Sequence, residues 1–380
     1  MGMPDVVVVG GGIAGASVAY ELAAHRSVVL VEAEPVAGRH STARSAATWV
    51  PGHGVADVRA LVAASGLRFE GLADELGTPP LLLRRQALFV ATDDEGERAL
   101  TEHLADRAGE PHAPERIDGA TAERMCPALA PGVVRAAGLV EAADIDTDAL
   151  HQGYLRGLRA RGGEVRVGAA AERIERMGAG WSVHLSGAAG ALDTALVVDA
   201  AGAWADVVAR RAGVPEIGLV PYRRTIASVR VPDPARLRGP GERLPFVIDP
   251  ADRFYFKADG DDLLCSPADE TPTEPGDAKP DPLDVALALE RVEEVTRLGL
   301  RSVRTSWAGL RSFVADRRPV VGEWPEVAGF AFVAAQGGSG IETAPALSAY
   351  AAAALTGQRP PADTPQDPAL FAPDRSRVRM

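Results

Sequence analysis

Residues 5–32 read DVVVVGGGIAGASVAYELAAHRSVVLVE, and this stretch decides the fold. Four valines at 6–9 predict a buried β-strand, and the glycines that follow predict a tight turn. The alanine-rich segment up to His25 has the composition of a helix. A second apolar run at 28–31 predicts another buried strand, which ends at Glu32. Strand, glycine turn, helix and strand in this order indicate the first unit of a doubly wound α/β sheet.

The glycine spacing predicts a dinucleotide site. Gly10 permits the tight turn, Gly12 lets the backbone approach a pyrophosphate, and Gly15 lets the helix pack closely on the first strand. The helix begins near Ile13 and Ala14, so its free N–H groups and the positive end of its dipole face the phosphates.

Glu32 narrows the choice of nucleotide. At the end of the second strand its carboxylate can accept hydrogen bonds from both ribose hydroxyls, and it would repel the 2′-phosphate of NADP. NAD and FAD remain. The alternative is a glycine-rich turn in an unrelated α/β protein, and an acid in the required place weighs against it.

Length and charge limit the remaining possibilities. A chain of 380 residues with 46% hydrophobic and 24% charged residues can bury a large core and predicts two domains. Forty basic and 52 acidic residues give a net charge of −12, which argues against nucleic acid or an anionic membrane as the main partner. The two cysteines show no metal-site or disulfide spacing, and we expect no metal. The first strand begins within a few residues of Met1, which leaves no room for a leader, and the apolar run at 344–355 is too short for a bilayer, so we expect a soluble cytoplasmic protein.

The rest of the chain predicts a second, discontinuous domain. The double proline at 79–80 breaks the chain, the strand at 195–198 runs into a glycine turn at Gly202, and alternating strands with proline-rich links fill 222–307. We expect an α/β fold with a Rossmann-like nucleotide-binding domain and an α+β substrate domain that carries a mixed or antiparallel sheet. The expected divisions are 1–78, 139–213 and 312–370 for the nucleotide domain, 79–138 and 214–311 for the substrate domain, and 371–380 for a tail.

Acidic residues at 144–148 precede a helix. An Asp or Thr there is expected to cap that helix, whereas a metal site built from the three acids lacks the spacing of a calcium loop.

Two further stretches look like cofactor loops. Residues 38–51 mix small, hydroxyl and basic side chains, which suit a flat ring and phosphate oxygens, although a solvated loop with a helix cap at Ser41 or Thr42 has the same composition. Residues 336–341 form a third glycine turn, which opens a helix that ends near Leu355.

Longer motifs resemble a known family, and they span nearly the whole chain. They are HSTARSAA at 40–47, ADIDTDALHQGYLRG at 143–157, WAGLRSFVAD at 307–316 and VAAQGG at 333–338, together with the turn at 10–15. With these motifs the chain resembles the FAD-dependent D-amino-acid oxidase superfamily, which includes glycine oxidase and sarcosine oxidase, and within it most closely the bacterial catabolic D-arginine dehydrogenases.

The resemblance implies a D-amino-acid oxidase-like fold and non-covalent FAD. The residues that it implies at the cofactor are Gly10, Gly12, Ile13, Ala14, Gly15, Glu32, His40, Ser41, Arg44, Ser45, Ala46, Ala47, Gly202, Arg311, Gly337, Gly338, Ser339, Gly340, Ile341 and Glu342.

The resemblance also implies a substrate grip. Arg224 and Arg311 would hold a carboxylate, for which a two-pronged and permanently charged guanidinium is suited, and Tyr255 would contact the same carboxylate. A surface salt bridge or plain strand packing is the alternative for these three residues.

The chain departs from the D-arginine dehydrogenases at five pocket positions. Thr48 replaces a histidine, His53 a mobile tyrosine, Glu342 a glutamine near the flavin, Ala87 a glutamate that pairs with a cationic side chain, and Phe246 a methionine. Without an acid at position 87, the buried guanidinium of an arginine substrate has no partner, so arginine is not expected as the substrate. Glu342 offers a carboxylate from another direction, so a basic or amine substrate remains an alternative.

The implied activity is oxidation of the Cα–N bond of an amino acid, with hydride transfer to flavin N5 and hydrolysis of the imino acid to a 2-oxo acid and ammonia. Oxygen or a quinone would reoxidise the flavin. A secondary-amine oxidase of the sarcosine or glycine type is one alternative, and a non-catalytic flavin subunit of a complex is another.

Overall fold

The computed structural model describes residues 3–187, 190–239, 241 and 243–375. In chain order the strands are β1 (Val6–Val9), β2 (Val28–Val31), β3 (Thr48–Trp49), β4 (Leu82–Ala91), β5 (Glu115–Asp118), β6 (Ala136–Ile145), β7 (Glu164–Arg166), β8 (Ala171–Met177), β9 (Gly180–Leu185), β10 (Ala191–Thr194), β11 (Leu196–Asp199), β12 (Val220–Arg230), β13 (Phe246–Ile248), β14 (Tyr255–Asp259), β15 (Asp262–Ser266), β16 (Thr271–Pro272), β17 (Ser302–Phe313), β18 (Val320–Glu323) and β19 (Phe330–Ala334). The helices are α1 (Ile13–Leu22), α2 (Ala56–Leu76), α3 (Asp94–Asp106), α4 (Gly119–Met125), α5 (Thr147–Ala160), α6 (Ala205–Arg211), α7 (Pro282–Thr296) and α8 (Gly340–Leu355).

Six strands form a mostly parallel sheet in the order β18-β19-β11-β1-β2-β7, with only β18 antiparallel to its neighbour. Strands β1, β2 and β19 are buried along their whole length, as continuous apolar strands are when both faces of a sheet are covered. Helices α1, α2, α5 and α8 pack on one face, and α6 with the small sheet β10-β9-β8 packs on the other. The predicted strand, turn, helix and strand at 5–32 are confirmed.

The second sheet follows the order β16-β12-β15-β14-β13-β4-β6-β3, with β17 added on β12 and β5 on β6. Its pairs are antiparallel except β13 with β4. Side chains alternate between the two faces, so Phe256 packs toward α7 while Phe246 and Tyr255 lie on the opposite face. That opposite face carries the substrate end of the site described below.

Several strands were not expected from the sequence. Strands β3, β5, β6, β8, β13, β16 and β18 carried no separate prediction, and β17 extends to Phe313, beyond the end at 307 of the expected alternating strands. The expected domain division between 138 and 139 falls inside β6, which pairs with β4 over its full length. The chain therefore leaves the second sheet near residue 145.

Two smaller expectations have a clear outcome. Asp146 caps α5, since its carboxylate accepts the N–H of Ala149 at 2.9 Å, which confirms the predicted cap. The expected tail is held to the protein through residue 375: Phe371 is fully buried against Tyr350, and Arg375 pairs with Asp316. Residues 376–380 of that tail lie outside the described residues.

Within the described ranges, none of the helices combines the length and the apolar character that a bilayer crossing requires. The described His, Cys, Asp and Glu side chains likewise form no group of three or more that could hold a metal ion.

Candidate active site

A single cavity of about 390 Å³ joins the two sheets. Its walls include Gly10 and Glu32 at one end and Arg224 and Tyr255 at the other. The glycine turn and the expected substrate grip, which are more than 200 residues apart in the chain, therefore face one continuous space.

The first glycine turn has the geometry that its spacing predicts. Gly10 has φ +109°, and a Cβ placed on it would lie 2.5 Å from the Ala200 carbonyl oxygen. A Cβ on Gly15 would lie 1.8 Å from the Gly10 carbonyl oxygen, so Gly15 serves the packing of α1 and is not part of the cavity wall. Gly12 does face the cavity, where a Cβ would meet only Thr42 Oγ1, at 3.3 Å.

Two helix N-termini open on the cavity. Helix α1 begins at Ile13 after Gly12, and α8 begins at Gly340 after Ser339; neither cap residue bonds its helix through a side chain. The free N–H groups and the positive ends of two helix dipoles thus favour an anion at this place. The Ile13 N–H donates to Thr42 Oγ1 at 3.0 Å, which joins the loop after β2 to the start of α1.

Glu32 is held in place by backbone groups. Its carboxylate accepts the N–H groups of Gly11 at 2.7 Å and Glu34 at 2.8 Å, and the side chain still lines the cavity. A carboxylate offers about four acceptor sites, so two remain for hydroxyl donors. The predicted contact with ribose stays a prediction, and the structure leaves it the acceptor capacity that it needs.

The loop at 38–48 differs in part from what its composition suggested. The Ser41 hydroxyl donates to the Leu310 carbonyl, and the Arg44 guanidinium bonds the Ala278 and Ala308 carbonyls and the Asp277 carboxylate. These polar groups therefore bind the second sheet and its links, although both residues line the cavity.

Three other members of this loop line the cavity as expected: Ser45, Ala46 and Ala47. The Ser45 hydroxyl accepts the Ala47 N–H at 3.2 Å, and Ala47 has φ +54°, a conformation that costs a non-glycine residue about 1 kcal/mol or more. His40 bonds Glu34 at 2.9 Å and lies against the Trp204 ring.

The third glycine turn also reaches the cavity. The cavity wall includes four of its residues, Gly337, Gly338, Gly340 and Ile341, whereas Ser339 is buried behind the wall. Gly202, from the turn after β11, and Ala14, from α1, line the cavity as well. The Ser339 hydroxyl instead bonds the Glu342 carboxyl. Ser339 thus supports a cavity side chain from behind.

The substrate end brings together the three residues expected to grip a carboxylate. Arg224 on β12, Tyr255 on β14 and Arg311 on β17 all line the cavity; β17 pairs with β12, and β15 separates β12 from β14 in the second sheet. The Tyr255 hydroxyl is buried and has no hydrogen-bond partner among the described residues.

The two arginines differ in how they are held. Arg224 is buried, donates to the Asp269 carbonyl at 2.7 Å and pairs with Glu270 at 3.2 Å, and burial together with the nearby Arg311 lowers its pKa to about 10. The Arg311 guanidinium packs against Gly338, and the described part of the chain offers it no hydrogen bond or ion pair. One cation therefore has a fixed partner and the other has none.

Three further predicted pocket residues line the same cavity: Thr48, His53 and Glu342. Burial lowers the pKa of His53, and the nearby Arg311 and Arg224 lower it further against the opposing effect of Asp252, so its imidazole is neutral at pH 7. Glu342 is buried, and its carboxylate accepts the Val50 N–H at 2.9 Å. Burial raises the pKa of Glu342 to about 7.

One pocket expectation needs correction. Ala87 was expected to line the distal pocket, but it is fully buried and is not part of the cavity wall, whereas Phe246, its register partner on the neighbouring strand, does line the cavity. Phe246, Ile226 and Ile248 form an apolar wall at this end.

Sequence reasoning missed other cavity residues. Thr42 was weighed only as a helix cap, and Asp252, Ile226 and Ile248 were not considered. For Asp252 the sequence held one indication, its position shortly after Pro250 in a turn. In the structure Asp252 has φ +55°, which Asp tolerates better than most residues. The isoleucines could be assigned to the cavity only once the faces of their strands were known.

Taken together, the arrangement fits FAD. The cavity offers two helix starts for a pyrophosphate, a carboxylate for ribose hydroxyls, and a wall of small residues at 45–47 for a flat ring. A paired and an unpaired guanidinium at its far end fit an anionic substrate.

Comparison with known proteins agrees with this geometry. The family model described as DAO, FAD dependent oxidoreductase, matches residues 5–354. FAD-dependent oxidoreductase domain-containing protein 1 of Bos taurus is 29% identical over 175 residues, and the match spans 41% of this chain and 34% of that protein. The chain thus aligns with only about a third of the length of that relative.

Two solved structures have the same fold. L-proline dehydrogenase from P. horikoshii superimposes with a TM-score of 0.85 at 19% identity, covering 100% of this chain and 99% of the other. Glycine oxidase from Geobacillus kaustophilus gives 0.83 at 22% identity, covering 97% and 98%. The family match over nearly the whole chain and the cavity's fit to a dinucleotide lead to one conclusion: this chain belongs to the DAO family of FAD-dependent oxidoreductases, and its cofactor is FAD.

Proposed function

We propose that the protein oxidises the Cα–N bond of an amino acid with an apolar side chain, of the D configuration, and forms an imino acid that hydrolyses to a 2-oxo acid and ammonia. The observation that carries this proposal is the unpartnered Arg311 guanidinium, which lies beside Arg224 and the unbonded Tyr255 hydroxyl in the FAD cavity. Arg311 is half-buried, and a cation partly removed from water without a counter-charge is costly, so a substrate carboxylate that supplies that charge is favoured.

The grip suits a carboxylate better than a single point anion. Arg224 is already fixed by Asp269 and Glu270, so it presents a rigid guanidinium edge, and Arg311 can turn its fork toward the same ligand. Tyr255 adds a hydroxyl donor. Three donor groups from three strands would fix the orientation of the α-carbon.

The side-chain preference follows from the wall opposite the grip. Phe246, Ile226 and Ile248 are apolar, and an apolar substrate side chain gains about 25 cal/mol per Å² that it buries there. Two carboxyl groups line the cavity at this end: Asp252, which is exposed, and Glu342, which is buried but lies on α8, so a desolvated guanidinium finds no buried acid on the apolar wall itself. We therefore expect D-phenylalanine and D-methionine to be better substrates than D-arginine.

When bound, FAD would supply the oxidising power, as the acceptor of the hydride from the substrate α-carbon. Gly12, Thr42, Glu32 and the starts of α1 and α8 would hold it. The protein contributes orientation, exclusion of water by the apolar wall, and control of the charge state of the amine.

A secondary amine is the second candidate substrate. The two solved structures with the same fold are named for proline and glycine oxidation, and the carboxylate grip proposed here would serve an N-substituted glycine equally well. A non-catalytic flavin subunit is less well supported, because such a subunit has no need of the arginines and the tyrosine at the far end of the cavity.

The test is anaerobic bleaching of the bound flavin by a panel of D-phenylalanine, D-methionine, D-arginine, D-lysine, L-phenylalanine, L-proline and sarcosine. We expect D-phenylalanine and D-methionine to bleach it fastest, measured as the second-order rate constant. Faster bleaching by sarcosine or L-proline would select the secondary-amine function, and bleaching by no member of the panel would contradict the proposal. The same assay in air shows whether oxygen reoxidises the flavin or a quinone is needed.

The cofactor should be held without a covalent bond. No cysteine or histidine of this chain matches a known flavin attachment position, and both cysteines are buried in one hydrophobic cluster, Cys265 on β15 and Cys126 at the end of α4. Acid precipitation should leave all the yellow colour in the supernatant, and colour retained by the pellet would contradict this expectation.

A further inference from the structure

Glu342 is a cavity carboxyl that the carboxylate grip does not use. It lies in the first turn of α8, is 6% exposed and lines the cavity. Its Oε2 accepts the Val50 N–H at 2.9 Å, and the Ser339 hydroxyl bonds the same carboxyl. Both are neutral donors, so they fix the position of the carboxylate without neutralising its charge.

Two charged side chains at this end of the cavity lack an ion-pair partner among the described residues. Arg224 pairs with Glu270, whereas neither Arg311 nor Glu342 has an ion-pair partner within 4.0 Å among the described residues. A zwitterionic amino acid would supply both missing partners, because its carboxylate would pair with Arg311 and its ammonium would pair with Glu342. A carboxylic acid without an amine would leave Glu342 unmatched.

We infer that Glu342 is the residue that binds the substrate α-ammonium and takes one proton from it, so that the amine becomes neutral before oxidation. This inference rests on the proposed function. In the step an N–H bond of the ammonium breaks and its electron pair stays on nitrogen, while an O–H bond forms on the Glu342 carboxylate. The charges of −1 and +1 become two neutral groups, which is favourable in a water-poor cavity.

The surroundings of Glu342 tune it for this exchange. Burial raises its pKa to about 7, and the Val50 N–H, the Ser339 hydroxyl and the nearby Arg311 oppose a larger rise. A proton acceptor works best when its pKa is close to the working pH. The other titratable groups in the cavity wall at this end are Arg224, Arg311, Tyr255, the exposed Asp252, and His53, whose pKa is lowered.

The test uses two ligands that cannot be oxidised. α-Methyl-D-phenylalanine has an amine but no α-hydrogen, and 2,2-dimethyl-3-phenylpropanoate has a methyl group in place of that amine. Binding to the oxidised, FAD-loaded protein is followed by the flavin spectrum and by calorimetry at pH 8 in phosphate and in Tris, since the buffer dependence of the heat counts the protons released.

The wild type should prefer the amine ligand and bind it at pH 8 without net release of a proton, because Glu342 keeps the proton that the ammonium gives up. Glu342→Gln keeps the size and the acceptor for the Val50 N–H but cannot take up a proton, so it should reduce that preference roughly 10- to 100-fold, and any amine that it binds in the neutral form should release its proton to the buffer. Asp252→Asn is the matched control, because it removes another carboxylate from the same wall; it should leave both observations unchanged.

The outcomes separate this inference from the proposed function. An unchanged preference in Glu342→Gln would overturn the inference even while amino acids bleach the flavin. Loss of the preference in Asp252→Asn would place the amine at the cavity mouth and would also overturn it. Failure of the wild type to bind either ligand or to be bleached by the panel would instead contradict the proposed function.

Discussion

The two ends of the cavity are built in different ways. The nucleotide end consists of backbone: the turn at Gly10 and Gly12, the starts of α1 and α8, and the small residues at 45–47. The substrate end consists of charged and aromatic side chains from separate strands, with Arg224, Tyr255 and Arg311 as its centre.

This difference explains how one fold can keep its cofactor and change its substrate. A backbone site tolerates almost no side-chain change at its glycines, because an added Cβ meets main-chain atoms within 3 Å at Gly10 and Gly15. A side-chain site can be altered one residue at a time. Mutations should therefore divide into those that remove FAD and those that alter the ligand.

The most complete loss is expected from Gly12→Val. Gly12 has φ −71°, which valine can adopt, and its missing Cβ points at the cavity beside Thr42, so the protein should fold but exclude the pyrophosphate. The purified variant should have no flavin absorbance and an unchanged far-ultraviolet circular dichroism spectrum. Gly71→Val is the control, since that helical glycine has open space around it, and it should stay yellow. A yellow Gly12→Val variant would show that the cofactor avoids this turn.

Arg311→Lys should impair the other end alone. Lysine keeps the charge but loses the two-pronged geometry, and loss of one partner of a desolvated ion pair costs about 2–5 kcal/mol of binding free energy. The dissociation constant of the best bleaching amino acid should rise accordingly while FAD content stays full. Arg223→Lys, which alters an arginine paired with Asp284 next to Arg224, should change neither. Equal affinity in Arg311→Lys and wild type would remove Arg311 from the grip.

Glu342→Gln should change the pH dependence of stability. Burial raises the pKa of Glu342 from 4.5 to about 7, so the folded state favours the protonated acid, and that stabilising contribution is present below pH 4.5 and is lost as the pH rises through 7. Relative to the wild type, the variant should gain about 3 kcal/mol in free energy of unfolding between pH 4 and pH 8.5, as measured by urea denaturation. Glu326→Gln, on the surface, should show no such trend. A parallel pH dependence of wild type and Glu342→Gln would mean that the carboxyl is ionised without penalty.

The smallest effect is expected from Thr42→Val, at the nucleotide end. It removes the acceptor of the Ile13 N–H and leaves that buried donor unpaired, which costs about 1–3 kcal/mol of stability. Thr42→Ser keeps the hydroxyl and should recover most of the loss in thermal denaturation. If the valine and serine variants melt at the same temperature, the hydrogen bond to α1 contributes nothing.

The sequence by itself determined the nucleotide end. Residues 5–32 specify it locally, because a strand, a turn that needs glycine, and a helix start follow directly from neighbouring residues. The glycine turn, the acid at Glu32 and the cap at Asp146 could all be predicted in this way, and the family resemblance carried the same conclusion to the turn at 336–341.

Only the tertiary structure decided the substrate end. Residues 224, 255 and 311 share one wall because of the order and register of β17, β12, β15 and β14, and no local pattern encodes that order. The same sheet puts Phe246 beside Ala87, and only Phe246 reaches the cavity, so a residue expected in the pocket is buried outside its wall. Arg44 illustrates the same limit. The composition of its loop suited phosphate binding, but the Arg44 guanidinium pairs with the Asp277 carboxylate. A backbone motif is set by short-range sequence, whereas the direction and partner of a side chain are set by strands that meet only when the chain has folded.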